Sequence, residues 1–393
     1  MKALRRVIQK NGLRRRDLLY SAVIAFGLSI LSYLFNNQPL FTGEDLEQYA
    51  WMEWVKDKLP TKQEDTIQPL YINVSYDKQL VEYHDQYGMP IGNTDITDRQ
   101  KLLSLLKMLR STGQYKYVFL DVRFEKGYDT EADSALFWEI SHMDRIAVAT
   151  HSDMELADTL LAKKSAINDY SATITTSFVR YEFSHEGKPS MPLYAYSEIT
   201  GKTIERYGLM YICDGKLCYN SLFIRFPVES FDGEYEQEHK VYYHLGADIL
   251  DNYEESDIAV LTKDKYIVIG NLMEDVHDTY AGSKPGSVIT FYAFRALMKG
   301  EQIVSWWVML LFGVIYFCIS LSLFSPHSWM DCLPSVRKSK AMYFCLSFIG
   351  YGCVLTVIAI VLNVFLNIAT TILLPSVFFT IQNYVINYKR LKL

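Results

Sequence analysis

Residues 265–307 read KYIVIGNLMEDVHDTYAGSKPGSVITFYAFRALMKGEQIVSWW, and this stretch decides the fold. Its segment 266–270, YIVIG, is apolar and rich in β-branched residues, as is typical of a strand buried on both faces of a parallel sheet. Residues 271–286 supply a loop with three acidic residues, a histidine and Pro285-Gly286. Residues 287–298 place apolar side chains at three- and four-residue steps, which predicts a helix. We expect this helix to continue without a break into the apolar stretch that follows.

The apolar residues of the 393-residue chain are concentrated near its two ends. Residues 18–35 and 303–324 contain no charged side chain, and residues 341–388 are uncharged over a length sufficient for two helices of about 20 residues each. We therefore predict four transmembrane helices, one before the central region and three after it. The central region, residues 36–302, is predicted to form one folded domain.

Basic residues flank the predicted membrane helices on one side. Segments 1–17, 325–340 and 389–393 together carry 13 Lys and Arg residues and two acidic residues. Under the positive-inside rule all three segments are cytoplasmic, provided that residues 341–388 form a tight helical hairpin. Both termini are then expected in the cytoplasm, and residues 36–302 are expected outside.

The first apolar stretch has two interpretations, because a basic segment followed by apolar residues also describes a signal peptide. Its 18 uncharged residues are longer than the roughly 7–15 of a signal-peptide core. The sequence that follows, NNQPLFTG, also lacks a cleavage site with small residues. We expect an uncleaved anchor.

The central region is acidic, with 26 basic and 43 acidic residues and a net charge of −17. This charge argues against nucleic acid, or an anionic membrane surface, as the partner of the region, and it is compatible with cations or basic ligands. A solvated acidic surface is the simpler explanation.

Two of the six cysteines lie in the central region, within YICDGKLCYN at residues 211–220. Asp214-Gly215 is a turn signal between two strand-like arms, so the side chains of Cys213 and Cys218 are predicted to meet across a hairpin. In an oxidising compartment we expect a disulfide between them, and two reduced thiols beside a turn are the alternative. A zinc site would need a second cysteine pair, which the sequence lacks.

The central region is predicted to be an α/β domain with a mostly parallel sheet flanked by helices, because strand and helix patterns alternate along it. Residues 153–246 contain short strands and turns, which predict an antiparallel extension or an inserted subdomain. The predicted helices are 42–59, 98–109, 131–140 and 287–298, and the predicted strands are 70–74, 117–120, 145–149 and 266–270.

Two segments, FLDVRFEKGYDTEADSALFWEI (119–140) and YIVIGNLMEDVHDTYAGSKPGSVITFYAFRALMKGE (266–301), resemble a known family. Together with the order of spans, they are similar to the second class of the cyclase/histidine-kinase-associated sensory extracellular domains. The resemblance covers residues 15–388 and implies a sensory domain on the periplasmic side of a bacterial cytoplasmic membrane. The residues in matching places are Asp121, Asp133, Ile269, Gly270, Asp278, Pro285 and Gly286.

The chain departs from the family pattern in two places. The family often has His-Ala at the start of the last helix of the domain, where this chain has Thr290-Phe291. Many relatives carry a kinase or cyclase domain after the last span, whereas only residues 389–393 follow it here. We therefore expect a signal to leave through the spans, or the short cytoplasmic segments, to a separate protein.

Polar and charged residues follow two of the predicted parallel strands. Since open α/β sheets bind ligands beyond the carboxyl ends of their strands, we expect these residues to gather at one site. Their oxygen atoms are also suited to Mg²⁺ or Ca²⁺. Helix capping and loop bracing are the alternative roles. The candidate ligand-binding residues are Asp121, Arg123, Glu125, Asp275, His277 and Asp278.

The sequence carries no motif of a known catalytic site. H-E-x-x-H, G-x-S-x-G, the P-loop and G-x-G-x-x-G are all absent, and the eight histidines are scattered. The predicted spans lack ionisable residues, which argues against ion transport. We expect neither enzymatic activity nor a cofactor.

Two functions are compatible with these observations. The first is a membrane-anchored sensory protein whose external domain binds an unknown signal and passes it through the spans to a signalling protein in the membrane or cytoplasm. The second is a structural subunit that holds a complex at the cell envelope without switching. The expected partners are the lipid bilayer, an external ligand and a signalling protein, and self-association is compatible with both functions.

Overall fold

A computed structural model describes residues 14–37, 67–84, 87, 89–169, 180–185, 187–226, 242–324 and 374–391. The chain divides into two compact units, Leu59–Ile303 and the two flanking segments Met1–Lys58 and Val304–Leu393 taken together. The predicted helix at 42–59, the loop 325–340 and most of the hairpin 341–388 lie outside the described residues.

The described elements alternate between strands and helices across the larger unit. The helices are α1 (Arg15–Asn36), α2 (Arg99–Thr112), α3 (Asp133–Ser141), α4 (Met191–Thr200), α5 (Glu255–Thr262), α6 (Gly286–Met298), α7 (Trp306–Phe324) and α8 (Leu374–Leu391). The strands are β1 (Pro69–Asn73), β2 (Lys78–His84), β3 (Pro90–Thr97), β4 (Tyr117–Asp121), β5 (Ile146–Thr150), β6 (Ser165–Ile167), β7 (Arg180–Glu182), β8 (Ser184–His185), β9 (Lys188–Pro189), β10 (Ile204–Tyr207), β11 (Met210–Cys213), β12 (Lys216–Cys218), β13 (Ser221–Phe223), β14 (Tyr242–His244), β15 (Tyr266–Gly270), β16 (Val276–Thr279) and β17 (Gly282–Pro285).

A six-stranded sheet forms the centre of the larger unit, in the order β14-β1-β15-β4-β5-β6. Every pairing within this sheet is parallel. All five residues of β15 are buried, as expected for a strand that is covered on both faces. The predicted α/β class with a parallel sheet is therefore confirmed.

Helices cover the sheet on both faces because side chains alternate along each strand. On one face, α2 and α3 pack on a core that includes Ile72, Leu120 and Ile269. On the other face, the ring of Phe291 in α6 lies 6.0 Å from the ring of Phe119 in β4. Helix α4 packs beside α6 on this second face. The result is a sheet between two helical layers.

Two strands of the parallel sheet come from the region predicted to be antiparallel. β6 is three residues long and pairs with β5, while β14 pairs with β1 at the opposite edge. The predicted antiparallel extension is also present, as the three-stranded sheet β10-β11-β12 and several two-stranded ribbons. β1, α2 and β4 follow one another among the elements of the parallel sheet and its helices, but β15 lies between the two strands in the sheet.

The last helix of the domain does not continue into the next apolar helix, so that prediction is wrong. α6 ends at Met298, and α7 begins at Trp306. Gly300 adopts φ +74°, a left-handed conformation that stops a helix. The intervening turn is held by the domain, because the backbone N–H of Tyr219 donates to the carbonyl oxygen of Gln302 over 2.8 Å.

The predicted disulfide is absent: Cys213 and Cys218 are both buried, and their sulfur atoms are not bonded to each other. The hairpin forms, but its register pairs Cys213 with Lys216 and Cys218 with Tyr211. The two cysteines are therefore diagonal neighbours, whose Cβ atoms lie farther apart than the roughly 3.5–4.5 Å that a disulfide spans. Burial, and then the neighbouring Cys213, raises the pKa of the Cys218 thiol to about 12.

The smaller unit consists of three described helices, α1, α7 and α8. Among the described residues, one helix, Arg15–Leu34, has the length and the apolar composition needed to cross a membrane. α7 contains a shorter apolar segment, Trp306–Leu321. The first of these helices is compatible with a membrane anchor.

Polar side chains link these three helices inside the smaller unit. The Ser320 hydroxyl of α7 lies within hydrogen-bonding distance of the Ser21 hydroxyl of α1, at 3.2 Å, and of Gln382 Oε1 of α8, at 3.1 Å. Near the other end of α1, the hydroxyls of Ser32 and Tyr316 lie 2.8 Å apart. Because early residues of α1 meet late residues of α7, these two helices are antiparallel.

Candidate functional site

A cleft of about 960 Å³ lies at the carboxyl ends of the parallel strands. The chain leaves β4 toward α3 on one face of the sheet and leaves β15 toward α6 on the other. These two strands are neighbours, so the connections diverge between them and open a crevice. The last residues of the two strands, Asp121 and Gly270, are paired in register at this point.

The Asp121 carboxylate lies at the centre of a hydrogen-bonded network. Asn168, directly after β6, donates from Nδ2 to Asp121 Oδ1 over 3.0 Å. The Asn168 Oδ1 atom accepts from the Tyr181 hydroxyl over 2.9 Å and from the Thr290 hydroxyl over 2.7 Å. Because Thr290 belongs to α6, the network joins the base of the cleft to the last helix of the domain.

Burial raises the pKa of Asp121 to about 6, and the negative charge of Asp275 acts in the same direction. The hydrogen bond from Asn168 and the charges of His151 and His277 oppose the shift. Asp121 is therefore a carboxyl group that titrates close to neutral pH in a ligand-accessible cleft, a property that is common at functional sites.

Two pairs of a histidine and an aspartate lie on opposite sides of Asp121. His151 Nδ1 lies 2.7 Å from Asp169 Oδ1, and His277 Nε2 lies 3.0 Å from Asp275 Oδ1. Burial favours the neutral form of Asp169, but hydrogen bonds from Ser152 and His151 outweigh it and lower the pKa of this carboxyl. These two pairs place proton-accepting groups on either side of Asp121, the carboxyl group whose pKa is raised.

Arg99, at the start of α2, braces the loop that follows β4. Its side chain is buried, and Nη2 donates to the backbone oxygen of Arg123 over 2.7 Å. Its guanidinium lies over the ring of Phe124, 4.3 Å from the centroid, and its Nε atom is 3.8 Å from Asp133. Burial lowers the pKa of Arg99 to about 10, although Asp133 opposes this shift. The contacts of Arg99 with the backbone of Arg123 and the ring of Phe124 thus fix the loop that carries Arg123 and Glu125.

The cleft lining is acidic. Carboxylates outnumber Lys and Arg side chains, and aromatic and amide groups complete the wall. The acidic lining residues are Asp95, Asp121, Glu125, Asp153, Asp169, Glu182, Glu274 and Asp275, and the basic ones are Lys78, Arg99 and Arg123. Such a lining attracts a ligand that carries at least one positive charge.

Five of the six predicted site residues line this cleft, namely Asp121, Arg123, Glu125, Asp275 and His277. The sixth, Asp278, is not among the lining residues. It pairs with Ser283 in the β16-β17 hairpin and accepts a hydrogen bond from its hydroxyl over 2.8 Å. Asp278 therefore braces its own hairpin, which is the structural role that the sequence offered as the alternative to ligand binding.

Sequence reasoning missed the residues that follow β5 and β6. His151 comes directly after β5, and Asn168 and Asp169 come directly after β6. β6 has only three residues, too short for a periodic pattern to identify it. The polar triplet Asn-Asp-Tyr after the apolar pair Ala166-Ile167 was the available signal.

Among the described residues, no three His, Cys, Asp or Glu side chains are grouped closely enough to hold a metal ion. The predicted oxygen ligands for Mg²⁺ or Ca²⁺ share a cleft without forming such a group.

Comparisons with family models, curated proteins and solved structures gave no match for this chain.

The raised pKa of Asp121 predicts a pH-dependent effect of the Asp121→Asn substitution. In the folded protein Asp121 loses its proton near pH 6, whereas in the unfolded chain it does so near pH 4. The folded state therefore binds more protons between these values, and this carboxyl lowers the free energy of unfolding as the pH rises. We expect Asp121→Asn to raise that free energy at pH 7.5 by up to about 3 kcal/mol and to have little effect at pH 4.

Urea-dependent pulse proteolysis of the full-length protein in lipid nanodiscs measures this effect. The matched control is Asp144→Asn, since Asp144 is exposed and lies just before the amino end of β5, at the opposite end of the strands from the cleft. A difference between wild type and Asp121→Asn that stays constant from pH 4 to pH 7.5 would contradict the assigned titration.

Proposed function

We propose that this protein is a membrane-anchored sensory protein whose cleft binds a small organic ligand carrying a positive charge. The observation that carries the proposal is Asp121, a carboxyl of raised pKa placed at the divergence of two neighbouring parallel strands. Open α/β sheets bind their ligands at such points. A cleft volume of about 960 Å³ is sufficient for a small molecule. The cyclase/histidine-kinase-associated sensory domains, which the sequence resembles, are the proposed family.

The proposed topology has four spans, with both termini in the cytoplasm and residues 36–302 outside a bacterial cytoplasmic membrane. Three features support it. α1 is antiparallel to α7, as two spans on either side of one external domain must be. Phe379 packs against the apolar cluster whose members in α7 are Val308, Phe312 and Tyr316, and Gln382 contacts Ser320 farther along α7, so α8 runs in the same direction as α7. Hydrogen bonds between serine, tyrosine and glutamine side chains are typical contacts of packed membrane helices.

The proposed route of the signal begins at the hydrogen-bonded network beneath the cleft. A positively charged ligand at Asp121 stabilises the ionised carboxylate. The acceptor of the hydrogen bond that Asn168 donates is then a carboxylate instead of a protonated carboxyl group. Asn168 also accepts from Thr290, which is buried in α6. α6 leads through residues 299–305 into α7. In the proposed mechanism the domain has two conformations that differ in the position of α6, and the ligand binds one of them more tightly and so increases its population. α7 transmits this change to a separate signalling protein.

The proposal is tested by purifying the full-length protein from native membranes and identifying bound small molecules and proteins by mass spectrometry. We expect a bound organic cation or zwitterion that raises the unfolding temperature when it is added back. Asp121→Asn should lose it, whereas Asp144→Asn should retain it. Failure to recover any such molecule, together with no stabilisation by a library of amines and amino acids, would refute ligand binding.

The Thr290→Val substitution tests the connection between the cleft and α6. It keeps the size and shape of the side chain but removes the hydroxyl that donates to Asn168 over 2.7 Å. Losing one hydrogen bond within a buried network is expected to cost about 1–3 kcal/mol of stability. We further expect ligand binding to persist while ligand-induced changes in hydrogen exchange at residues 299–305 disappear. An unchanged response of these residues would show that the signal does not pass through Thr290.

The structural-subunit function remains the second candidate. It is favoured by the firm attachment of residues 299–305 to the domain, where the backbone of Tyr219 holds Gln302. A partner protein that co-purifies independently of any ligand, with no change in hydrogen exchange on ligand addition, would support it over sensing.

A further inference from the structure

A basic residue directly precedes each of four neighbouring strands of the parallel sheet, β15, β4, β5 and β6. The segments 113–116, 142–145, 162–164 and 263–265, which lead into these strands, contain six Lys and Arg residues and two acidic residues. The six basic residues lie at the amino ends of the strands, opposite the acidic cleft at the carboxyl ends. We name them the basic rim, and its members are Lys116, Arg145, Lys163, Lys164, Lys263 and Lys265.

Hydrogen bonds join neighbouring segments of the basic rim side by side. The backbone N–H of Lys116 donates to the carbonyl oxygen of Lys265 over 2.8 Å. Arg145 Nη2 donates to the carbonyl oxygen of Gly113 over 2.9 Å. Since neighbouring strands are about 4.8 Å apart, the four strand starts extend over about 14 Å.

The cations of the basic rim outnumber the carboxylates at the same end of the sheet. Lys164 brings its ammonium group to this end, because Nζ donates to the backbone oxygen of Asp144 over 3.4 Å. The carboxylates here are Asp144, Asp264, Glu198 beside Lys164, and Glu255 beside Ser111. The rim residues that form no ion pair with any residue in the described part of the chain are Lys163, Lys263 and Lys265. Their ammonium groups are therefore available to an external anion.

The chain leaves the domain at the same end of the sheet. Ser287, in the first turn of α6, lies beside Gly270 at the carboxyl end of β15. Two turns later, the ring centroid of Phe294 is 5.1 Å from that of Tyr266, the first residue of β15. α6 is therefore antiparallel to β15, and its last residue, Met298, lies at the amino ends of the strands.

Further positive charge lies where α6 ends. Burial lowers the pKa of Lys299, and the positive charges of Arg295 and Arg225 act in the same direction, whereas the carboxylate of Glu301 opposes them. Three cations thus share one carboxylate at the point where the chain leaves the domain.

Chain length keeps this end of the domain close to the start of α7. Two residues separate Ile303 from Trp306, the first residue of α7. An extended chain covers at most about 3.6 Å per residue, so these two residues are no more than about 11 Å apart. Under the proposed topology, in which α7 spans the membrane, the basic rim belongs to the end of the domain that is nearest the headgroups.

The acidic cleft is too far from the basic rim to cancel its charge. β15 has five residues, so its two ends lie about 13 Å apart. Salt limits electrostatic interactions in solution to about 8 Å at physiological ionic strength. An anionic surface at the amino ends of the strands therefore interacts mainly with the rim. The net charge of the central region, which argued against an anionic membrane as its partner, averages over these two ends.

We propose that the basic rim binds the phosphate groups of anionic phospholipids and so holds the cleft at the end of the domain farthest from the bilayer. The inference rests on the proposed role of α7 as a span. Copies of the chain in one membrane share one orientation, so the rim of one copy cannot meet the acidic cleft of another. Lipid phosphate is an anion that lies at this end of every copy.

Photo-crosslinking of the full-length protein in phosphatidylcholine nanodiscs, with and without phosphatidylglycerol, tests the inference. p-Benzoyl-phenylalanine is placed at position 162 on the rim, at position 153 as a control, and at position 307. Ala162 and Asp153 are both exposed and lie at opposite ends of the connection between β5 and β6. We expect lipid adducts at 307 in both kinds of nanodisc, adducts at 162 that require phosphatidylglycerol, and none at 153.

Charge variants provide a second measurement. One basic residue near an anionic surface strengthens binding about fivefold. The Lys163→Gln/Lys263→Gln/Lys265→Gln variant should therefore lower the yield of the 162 adduct by at least about fivefold. The matched Lys163→Arg/Lys263→Arg/Lys265→Arg variant keeps the three charges and should retain the adduct.

The outcomes separate this inference from the proposed function. No lipid adduct at 307 would refute α7 as a span and this inference with it. Adducts at 307 without phosphatidylglycerol-dependent adducts at 162 would overturn lipid binding by the rim and leave the proposed function in place. Equal adducts at 162 and 153, or an adduct at 162 that the glutamine variant retains, would show contact without the rim charges and would overturn the inference. Protein–protein adducts at 162 in place of lipid adducts would show that another chain covers the rim and would overturn it as well.

Discussion

Replacing Phe291 with alanine is expected to lower the free energy of unfolding of the α/β unit by about 3–5 kcal/mol. Phe291 has no exposed surface and lies at the centre of the layer between α6 and the sheet. Its ring centroid is 6.1 Å from that of Tyr71 in β1, 6.0 Å from that of Phe119 in β4 and 6.1 Å from that of Tyr266 in β15. Three neighbouring strands thus lose a common contact, and the space left cannot collapse without moving α6.

Urea-dependent pulse proteolysis in nanodiscs measures this change, with Phe291→Leu as the conservative variant. Leucine keeps most of the apolar contact and should cost markedly less than alanine. Leu80→Ala serves as the surface control, since Leu80 is 70% exposed and should change stability by less than about 0.5 kcal/mol. Equal losses for Phe291→Ala and Leu80→Ala would mean that α6 is not packed on the sheet as described.

The Gly270→Ala substitution is expected to destabilise the same unit by about 1–3 kcal/mol and to disrupt the cleft. A Cβ atom at position 270 would lie 2.9 Å from both Cβ and Oγ of Ser287 and 3.4 Å from Cβ of Asp121. The Ser287 Cβ belongs to the first turn of α6 and cannot rotate away. Relief of the clash must therefore separate α6 from the carboxyl end of β15, which is where the cleft forms.

Gly92→Ala is the matched control, because a Cβ atom at position 92 would meet nothing within 4 Å. Pulse proteolysis reports stability, and the unfolding temperature with and without the co-purified ligand reports binding. We expect Gly270→Ala to lower the stability and to abolish ligand binding, and Gly92→Ala to leave the stability and ligand binding unchanged. Wild-type ligand affinity in Gly270→Ala would argue that the close approach of α6 to Asp121 is not needed for the site.

Local sequence predicted the strands and helices that carry a strong periodic or continuous apolar pattern. The four predicted strands correspond to β1, β4, β5 and β15, and three of the predicted helices correspond to α2, α3 and α6. Asp98, the first residue of the predicted helix 98–109, is the N-cap of α2 in the structure, and its carboxylate accepts a hydrogen bond from the backbone N–H of Lys101 over 2.9 Å. These elements are recognisable because each buries a face whose spacing is set by its own backbone geometry.

Elements without such a pattern were not predicted. Helix α4 was not predicted, and the strands β6 and β14 have three residues each, too few for their type to be read from neighbouring residues alone. Their conformation is fixed by pairing and packing with distant parts of the chain, which overrides weak local preference. The break between α6 and α7 depends in the same way on Gly300 and on the contact between Gln302 and Tyr219.

By itself, the sequence determined the α/β class, the parallel sheet and the apolar helices near both ends. A strand or helix that is buried needs apolar residues at a characteristic spacing, and this spacing can be read from the local sequence. It also placed Asp121 and Asp275 at the ends of strands. Tertiary structure alone decided that β15 lies between β1 and β4, that Asn168 reaches both Asp121 and Thr290, and that Asp278 stays outside the cleft. Strand order is set by contacts between residues far apart in the chain, whose free energies depend on the whole packed sheet and leave no local signature.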